Sequence, residues 1–195
     1  EQSGFISDIG FDMYQKILNE AIKELKETEF KKTYTKDTSD SFFVEECQID
    51  TDMEILIPDQ YVRSVSERLQ IYKDLNIIKN QEELNSYQIK IKDRFGSIPV
   101  QMKKLFYSIE IKWIAKELGF EKIVLKSNKM IAYFISNPKS SFFESKEFSH
   151  ILNFIQRNPK TCQMKEKNNK LSLTFEGVSE VEIALKKLHM IKTNV

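Results

Sequence analysis

IPDQYVRSVSERLQIYKDLNIIKNQEELNSYQIKIKDRFGSIP, residues 57–99, reads as one helical block with its punctuation written out. Ser64 stands three residues before Glu67, and Asn80 three before Glu83. Each pair is a capping box, in which a side-chain oxygen and a carboxylate satisfy the free amides that open a helix. Gly96 has the conformational freedom to end the second helix, and Pro99 fits the first turn of a third. Val62, Val65, Leu69, Tyr72 and Leu75 make one apolar stripe at helical spacing. Leu84, Tyr87, Ile91 and Phe95 make a second, and Met102, Leu105, Phe106, Ile109, Trp113 and Ile114 a third, which Gly119 closes. The connections are short, so the three helices are expected to pack as one compact antiparallel layer.

On the N-terminal side, Ile49, Thr51, Met53 and Ile55 alternate with Asp50, Asp52 and Glu54, the period of a half-buried strand that Pro58 ends. Before it, Lys31 to Ser41 is polar, rich in Thr, Ser and Lys, and reads as a linker. Phe11, Tyr14, Ile17, Leu18, Ala21, Ile22 and Leu25 recur at helical spacing and form an amphipathic arm. The chain opens on Glu1-Gln2-Ser3-Gly4 without an initiator methionine, as a piece of a longer protein would. The expected division is an arm over 1–30, a linker over 31–43 and a folded domain over 44–195.

On the C-terminal side the period changes. Ile123 and Leu125 alternate with charged residues, Ser127-Asn128-Lys129 supplies a turn, and Met130 to Ile135 returns as a strand. Ser145 opens a helix bearing Phe148, Ile151, Leu152 and Ile155. The order then repeats: Cys162 to Glu166 and Leu171 to Phe175 flank Asn168-Asn169, and Ser179 with Glu182 caps a last helix. The fold class is therefore α+β, with an N-terminal helical arm, a three-helix block and an antiparallel β-sheet built from two hairpin-plus-helix units.

Composition narrows the chemistry. Of 195 residues 41% are hydrophobic, with 14 Phe and 7 Tyr, which argues for a folded chain. No apolar run approaches the roughly 20 residues that cross a bilayer, so no membrane role is expected. Cys47 and Cys162 lack CxxC spacing and read as reduced thiols of a cytoplasmic protein. The five glycines form no phosphate-cradling loop. His150 and His189 stand alone, without a second ligand at metal-binding spacing. The net charge of +1 conceals a split, with 15 acidic against 6 basic residues over 1–60 and 14 against 24 over 61–195.

Two clusters invite a chemical reading. Strand periodicity puts Asp50, Asp52 and Glu54 on one face, where carboxylates can hold Mg²⁺. Without a second acidic cluster or a base, they read instead as the wet face of a strand. Lys103, Lys104, Phe106, Tyr107, Lys112 and Trp113 interleave basic and aromatic residues, yet Phe106 and Trp113 fall on the apolar stripe and read as core. No catalytic, cofactor-binding or metal-ligating residue is assigned.

The residues do carry a family resemblance. Glu1-Gln2-Ser3-Gly4 with Ile9-Gly10-Phe11 and Tyr14, then Leu56-Ile57-Pro58-Asp59-Gln60-Tyr61-Val62, Arg68-Leu69, Tyr72-Lys73 and Asp93-Arg94-Phe95-Gly96-Ser97-Ile98-Pro99, resemble the C-terminal region of the bacterial transcription-repair coupling factors (Mfd). The resemblance implies that 1–30 is the tail of a translocase module, with Gln2 a remnant of its translocation motif, and that 44–195 is a regulatory domain. The parent would be an ATP-dependent double-stranded-DNA translocase using ATP and Mg, acting on RNA polymerase and recruiting the excision-repair protein UvrA. In that family the domain packs on the parent's N-terminal module and masks its UvrA-binding surface until polymerase is engaged. The candidate docking face is the polar side of helix 81–95, around Glu83, Lys90 and Arg94. Pro58, Arg68, Asp93, Gly96 and Pro99 are the structural signature. The rival reading is a basic DNA-binding module without catalytic activity, resting on the positive balance of 61–195.

Overall fold

The computed structural model describes residues 43–167 and 170–193. The arm expected over 1–30, the linker save its last residue, and the Asn168-Asn169 turn lie outside the described residues. The element order is β1 (Gln48–Thr51), α1 (Val65–Ile77), α2 (Gln81–Phe95), α3 (Val100–Glu117), β2 (Phe120–Lys126), β3 (Lys129–Phe134), a 3-10 turn (Ser141–Glu144), α4 (Lys146–Arg157), β4 (Cys162–Lys167), β5 (Lys170–Glu176) and α5 (Val181–Thr193).

The helix starts form as their residues dictate. Ser64 Oγ accepts the Glu67 amide at 3.3 Å, and Asn80 Oδ1 accepts the Glu83 amide at 2.9 Å. The Glu83 carboxylate reaches back to the Lys79 amide at 3.0 Å, one residue ahead of the cap. Gly96 ends α2 at φ 86° and ψ −158°, a region that side chains with a Cβ almost never enter. Gly119 follows α3 with φ 72°. Pro99 occupies the cap position of α3, one residue short of the first turn.

α1 buries only part of the expected stripe. Ile71 and Leu75 are buried, while Val65 and Leu69 are 61% and 56% exposed and Tyr72 is exposed beside them. The cause lies in composition: α1 carries apolar residues on two sides, so spacing alone does not choose between them. Tertiary bonds choose. Tyr87 Oη donates to Asp74 at 2.9 Å and Arg94 pairs with Glu67, which turns the side of α1 carrying Glu67 and Asp74 toward α2.

The sheet has five strands in the order β1-β2-β3-β5-β4. Four of them, β2 to β5, are antiparallel as expected and come from two hairpins, each followed by a helix. The edge strand β1 departs from the antiparallel expectation, pairing parallel with β2 from Gln48↔Lys122 to Thr51↔Leu125. The whole helical block connects the two, and such a crossover returns the chain to the same end of the sheet. β1 is also shorter than its alternation suggests. Thr51 Oγ1 accepts the Met53 amide at 3.0 Å and bends the chain away. At the β2–β3 turn, Ser127 and Asn128 take φ values of 53° and 60°, the twist that a two-residue hairpin requires.

Two hydrophobic cores result. Ile57, Val62, Ile71, Leu75, Leu84, Ile91, Met102 and Phe106 form the core of the helical block. A larger core joins the inner sheet face to α3, α4 and α5, around Phe120, Ile123, Phe134, Phe142, Leu173 and Phe175. α3 serves both, giving Met102 and Phe106 to the first and Ile111, Ile114 and Ala115 to the second.

Candidate docking surface

The segment entering α1 is locked to the end of α2. Pro58 O accepts the amides of Tyr61 and Val62 at 3.0 and 3.1 Å. Tyr61 Oη then donates to Gly96 O at 2.8 Å, with its ring against Phe95. Arg68 Nη1 donates to Val62 O at 2.6 Å and Arg63 O at 3.2 Å, tying α1 to the same turn. Pro58, Arg68 and Gly96 thus sit within one frame, while Pro99 caps α3 and accepts the Lys103 amide. Asp93 does not join it and stands exposed on the outer side of α2.

Of the three docking candidates, two are already engaged. Glu83 belongs to the cap of α2, its carboxylate also taking the Asn80 side-chain amide at 2.9 Å. Arg94 pairs with Glu67 and covers the Phe95 ring at 5.1 Å, though its side chain stays 67% exposed. Lys90 makes no ion pair among the described residues. Beside it Ile89 is 70% exposed, an apolar side chain between Ser86, Lys90 and Asp93 on the solvent side of the helix. Sequence reading missed Ile89 because it concentrated on charge.

A trough of about 770 Å³ opens on another side of the block, between α1 and α3. Leu75, Leu105, Ile109 and Trp113 line it, with Lys79, Lys112, Glu45 and Glu46 among its polar residues. The partial exposure of Leu105, Ile109 and Trp113 belongs to this trough, while Phe106 lies in the core, as its place on the stripe required.

The suspected acidic triad is dispersed. Asp50 pairs with Lys126 at 2.7 Å, and that hydrogen bond holds its carboxyl below the usual range. Asp52 accepts the Ser127 amide at 3.2 Å and steadies the β2–β3 turn. Among the described residues no group of three or more His, Cys, Asp or Glu is placed to hold a metal ion. Burial pushes the Cys47 thiol up to about 12 and raises Cys162 as well. Burial also raises Glu110, against a Gln81 hydrogen bond that lowers it. Gln2 lies outside the described residues.

Comparison with known proteins fits this frame. The family model described as "TRCF domain" matches residues 51–145. Residues 51–145 are thus similar to the TRCF domain family. The match begins at the last residue of β1 and holds the whole helical block, the first hairpin and the 3-10 turn. The chain is similar to the transcription-repair-coupling factor of Bacillus subtilis (strain 168), 28% identical over 192 residues, which is 98% of this chain and 15% of that protein. It is similar to that of Haemophilus influenzae, 30% identical over 123 residues, covering 63% of this chain and 10% of the relative. The chain therefore spans under a fifth of the length of these curated relatives. A crystal structure of the C-terminal domain of transcription-repair coupling factor superposes with TM-score 0.60 at 17% identity, over 76% of this chain and 92% of that one. The fold around the TRCF domain is shared with that structure. Among the described residues no helix is long and apolar enough to cross a membrane.

Proposed function

We propose that residues 44–195 are the C-terminal regulatory domain of a transcription-repair coupling factor, joined through a linker over 31–43 to the tail of its translocase module. The domain docks on the N-terminal module of the same protein and masks its UvrA-binding surface until RNA polymerase is engaged. On this reading the parent consumes ATP with Mg on double-stranded DNA, while this domain uses no cofactor and works in the cytoplasm. The TRCF match over residues 51–145 supports the reading.

The docking face we assign is the outer side of α2. Lys90 supplies an unpaired charge and Ile89 an exposed apolar anchor, the combination that centres many interfaces. The Tyr61–Gly96 and Glu67–Arg94 contacts keep the helix from shifting on its block. A tethered domain meets its partner at high effective concentration, so a small and reversible face is sufficient.

The test compares UvrA binding and basal ATPase of the full-length parent with the parent lacking residues 44–195. Masking requires both to rise on truncation. Unchanged values would sink the reading.

A further inference from the structure

All three helices of the sheet core lie against one face of the sheet, through Ile123, Leu125, Met130, Ala132, Leu173 and Phe175. The opposite face presents the alternate residues, and the register sets them in rows. One row runs Gln48, Lys122, Tyr133, Ser172, Lys165, and the next runs Asp50, Val124, Ile131, Thr174, Gln163. Val124, Ile131 and Tyr133 are half-exposed and belong to neither core. The third row carries Lys126, Lys129 and Glu176, and Lys167 faces Lys170 at the hairpin end.

The charges on this face are one-sided. Of its acids, Asp50 is taken up by Lys126 at 2.7 Å and Glu176 by Lys129 at 3.0 Å, and Asp52 accepts the Ser127 amide at 3.2 Å. Lys122, Lys165, Lys167 and Lys170 make no ion pair among the described residues. Lys122 contributes only a weaker pull on Asp50. A sheet with helices on one face, a central aromatic on the other and lysines around it is the arrangement on which single-stranded nucleic acid lies, phosphates on the cations and a base on the ring. We propose that the open face of the sheet binds single-stranded nucleic acid through Lys122, Lys165, Lys167 and Lys170, with Tyr133 stacking a base. A duplex keeps its bases stacked and offers nothing to Tyr133, so the preference is for the single strand. The inference stands apart from the docking reading, which concerns α2.

The experiment is fluorescence anisotropy of a labelled mixed-sequence DNA 15-mer with the 195-residue chain. Four phosphate contacts predict that affinity falls about 50-fold between 50 and 200 mM salt. The Lys122→Gln/Lys165→Gln variant should show about a 7-fold fall over the same range, with weaker binding at 50 mM. Lys73→Gln/Lys103→Gln, an equal charge change on the helical block, should bind like the parent chain. Tyr133→Leu should lose about 5-fold or more and Tyr133→Phe should not. Circular dichroism confirms that each variant is folded. No binding at 50 mM salt overturns the proposal, as does equal loss from the two double variants. Binding of a polyglutamate 15-mer as tight as the DNA, indifferent to Tyr133→Leu, would instead make this an acidic-protein surface and overturn the nucleic-acid assignment.

Discussion

A Cβ added at Gly119 would stand 2.3 Å from two ring carbons of Phe142, and Phe142 is itself fully buried. At Gly96 the same Cβ would meet nothing within 4 Å. Both residues have positive φ, so both substitutions strain the backbone by roughly 1–3 kcal/mol. Only position 119 adds a clash, for a total of about 2–6 kcal/mol. Urea denaturation of Gly119→Ala and Gly96→Ala measures the contrast, and equal losses would refute the role given to Phe142. Gly96→Val should unsettle the domain, whereas Lys90→Glu should leave its melting temperature in place and change only partner affinity. The Cys47 thiol sets a pH limit. Its pKa rises from 9.0 to about 12 on folding, so the folded state holds the proton more tightly. The stability that this contributes is full below about pH 9 and is lost as pH rises toward about 12. Native protein at pH 8 should leave Cys47 unmodified by a thiol reagent until denaturant is added. The caps at Ser64, Asn80 and Ser145 were readable from sequence because each acts within three residues. The Gly119–Phe142 approach was not, because it joins positions that only the fold brings together.

At the scale of elements, α1 is the instructive case. Its inner face is Ile71 and Leu75, and Leu69 points away. Leu69→Glu should therefore change stability by no more than about 0.5 kcal/mol, while Ile71→Glu should cost several times as much. Thermal melts of the two variants decide it, and a large loss from Leu69→Glu would restore the stripe that the spacing suggested. The buried side of α2 was legible, since Leu84 and Ile91 are buried as their spacing suggested. α1 was not, because an apolar residue falls on almost every side of it and long-range partners such as Asp74 with Tyr87 set its rotation. The same limit explains β1. Its alternation continues past Thr51, but the Thr51 side chain captures the Met53 amide and ends the pairing early. The Glu67–Arg94 pair is mostly in water, with the glutamate 36% and the arginine 67% exposed. A double-mutant cycle should return less than about 1 kcal/mol.

At the scale of the whole molecule, α3 is shared between two cores. Phe106→Ala empties space in the helical block and Ile111→Ala empties space against the sheet. Because one rigid helix carries both positions, each variant should lower a single cooperative transition by roughly 2–5 kcal/mol and not split it. Two separate transitions by fluorescence and circular dichroism would show that the cores are independent. The helical layer and both hairpins could be read from sequence, since their signals are local. Their union through α3 could not, because Met102 and Ile111 look alike in the sequence and differ only in what they touch. The candidate face on α2 was legible as charge, at Glu83, Lys90 and Arg94. Its apolar member, Ile89, and the rows of the open sheet face needed the register.

The parallel pairing of β1 also dictates the order in which the chain is assembled. The Tyr61–Gly96 bond closes a span of 35 residues, and α3 completes the helical block before β2 begins. The bond from Ser127 to Asp52 spans 75 residues, so β1 waits unpaired until β2 and its turn have been synthesised. During that interval an exposed strand precedes a finished helical block. Among the described residues the same strand has a neighbour on one side only and four residues of ladder. The amides of Gln48–Thr51 should exchange with deuterium sooner than those of Ile123–Leu125, and β1 should be the first strand released under load.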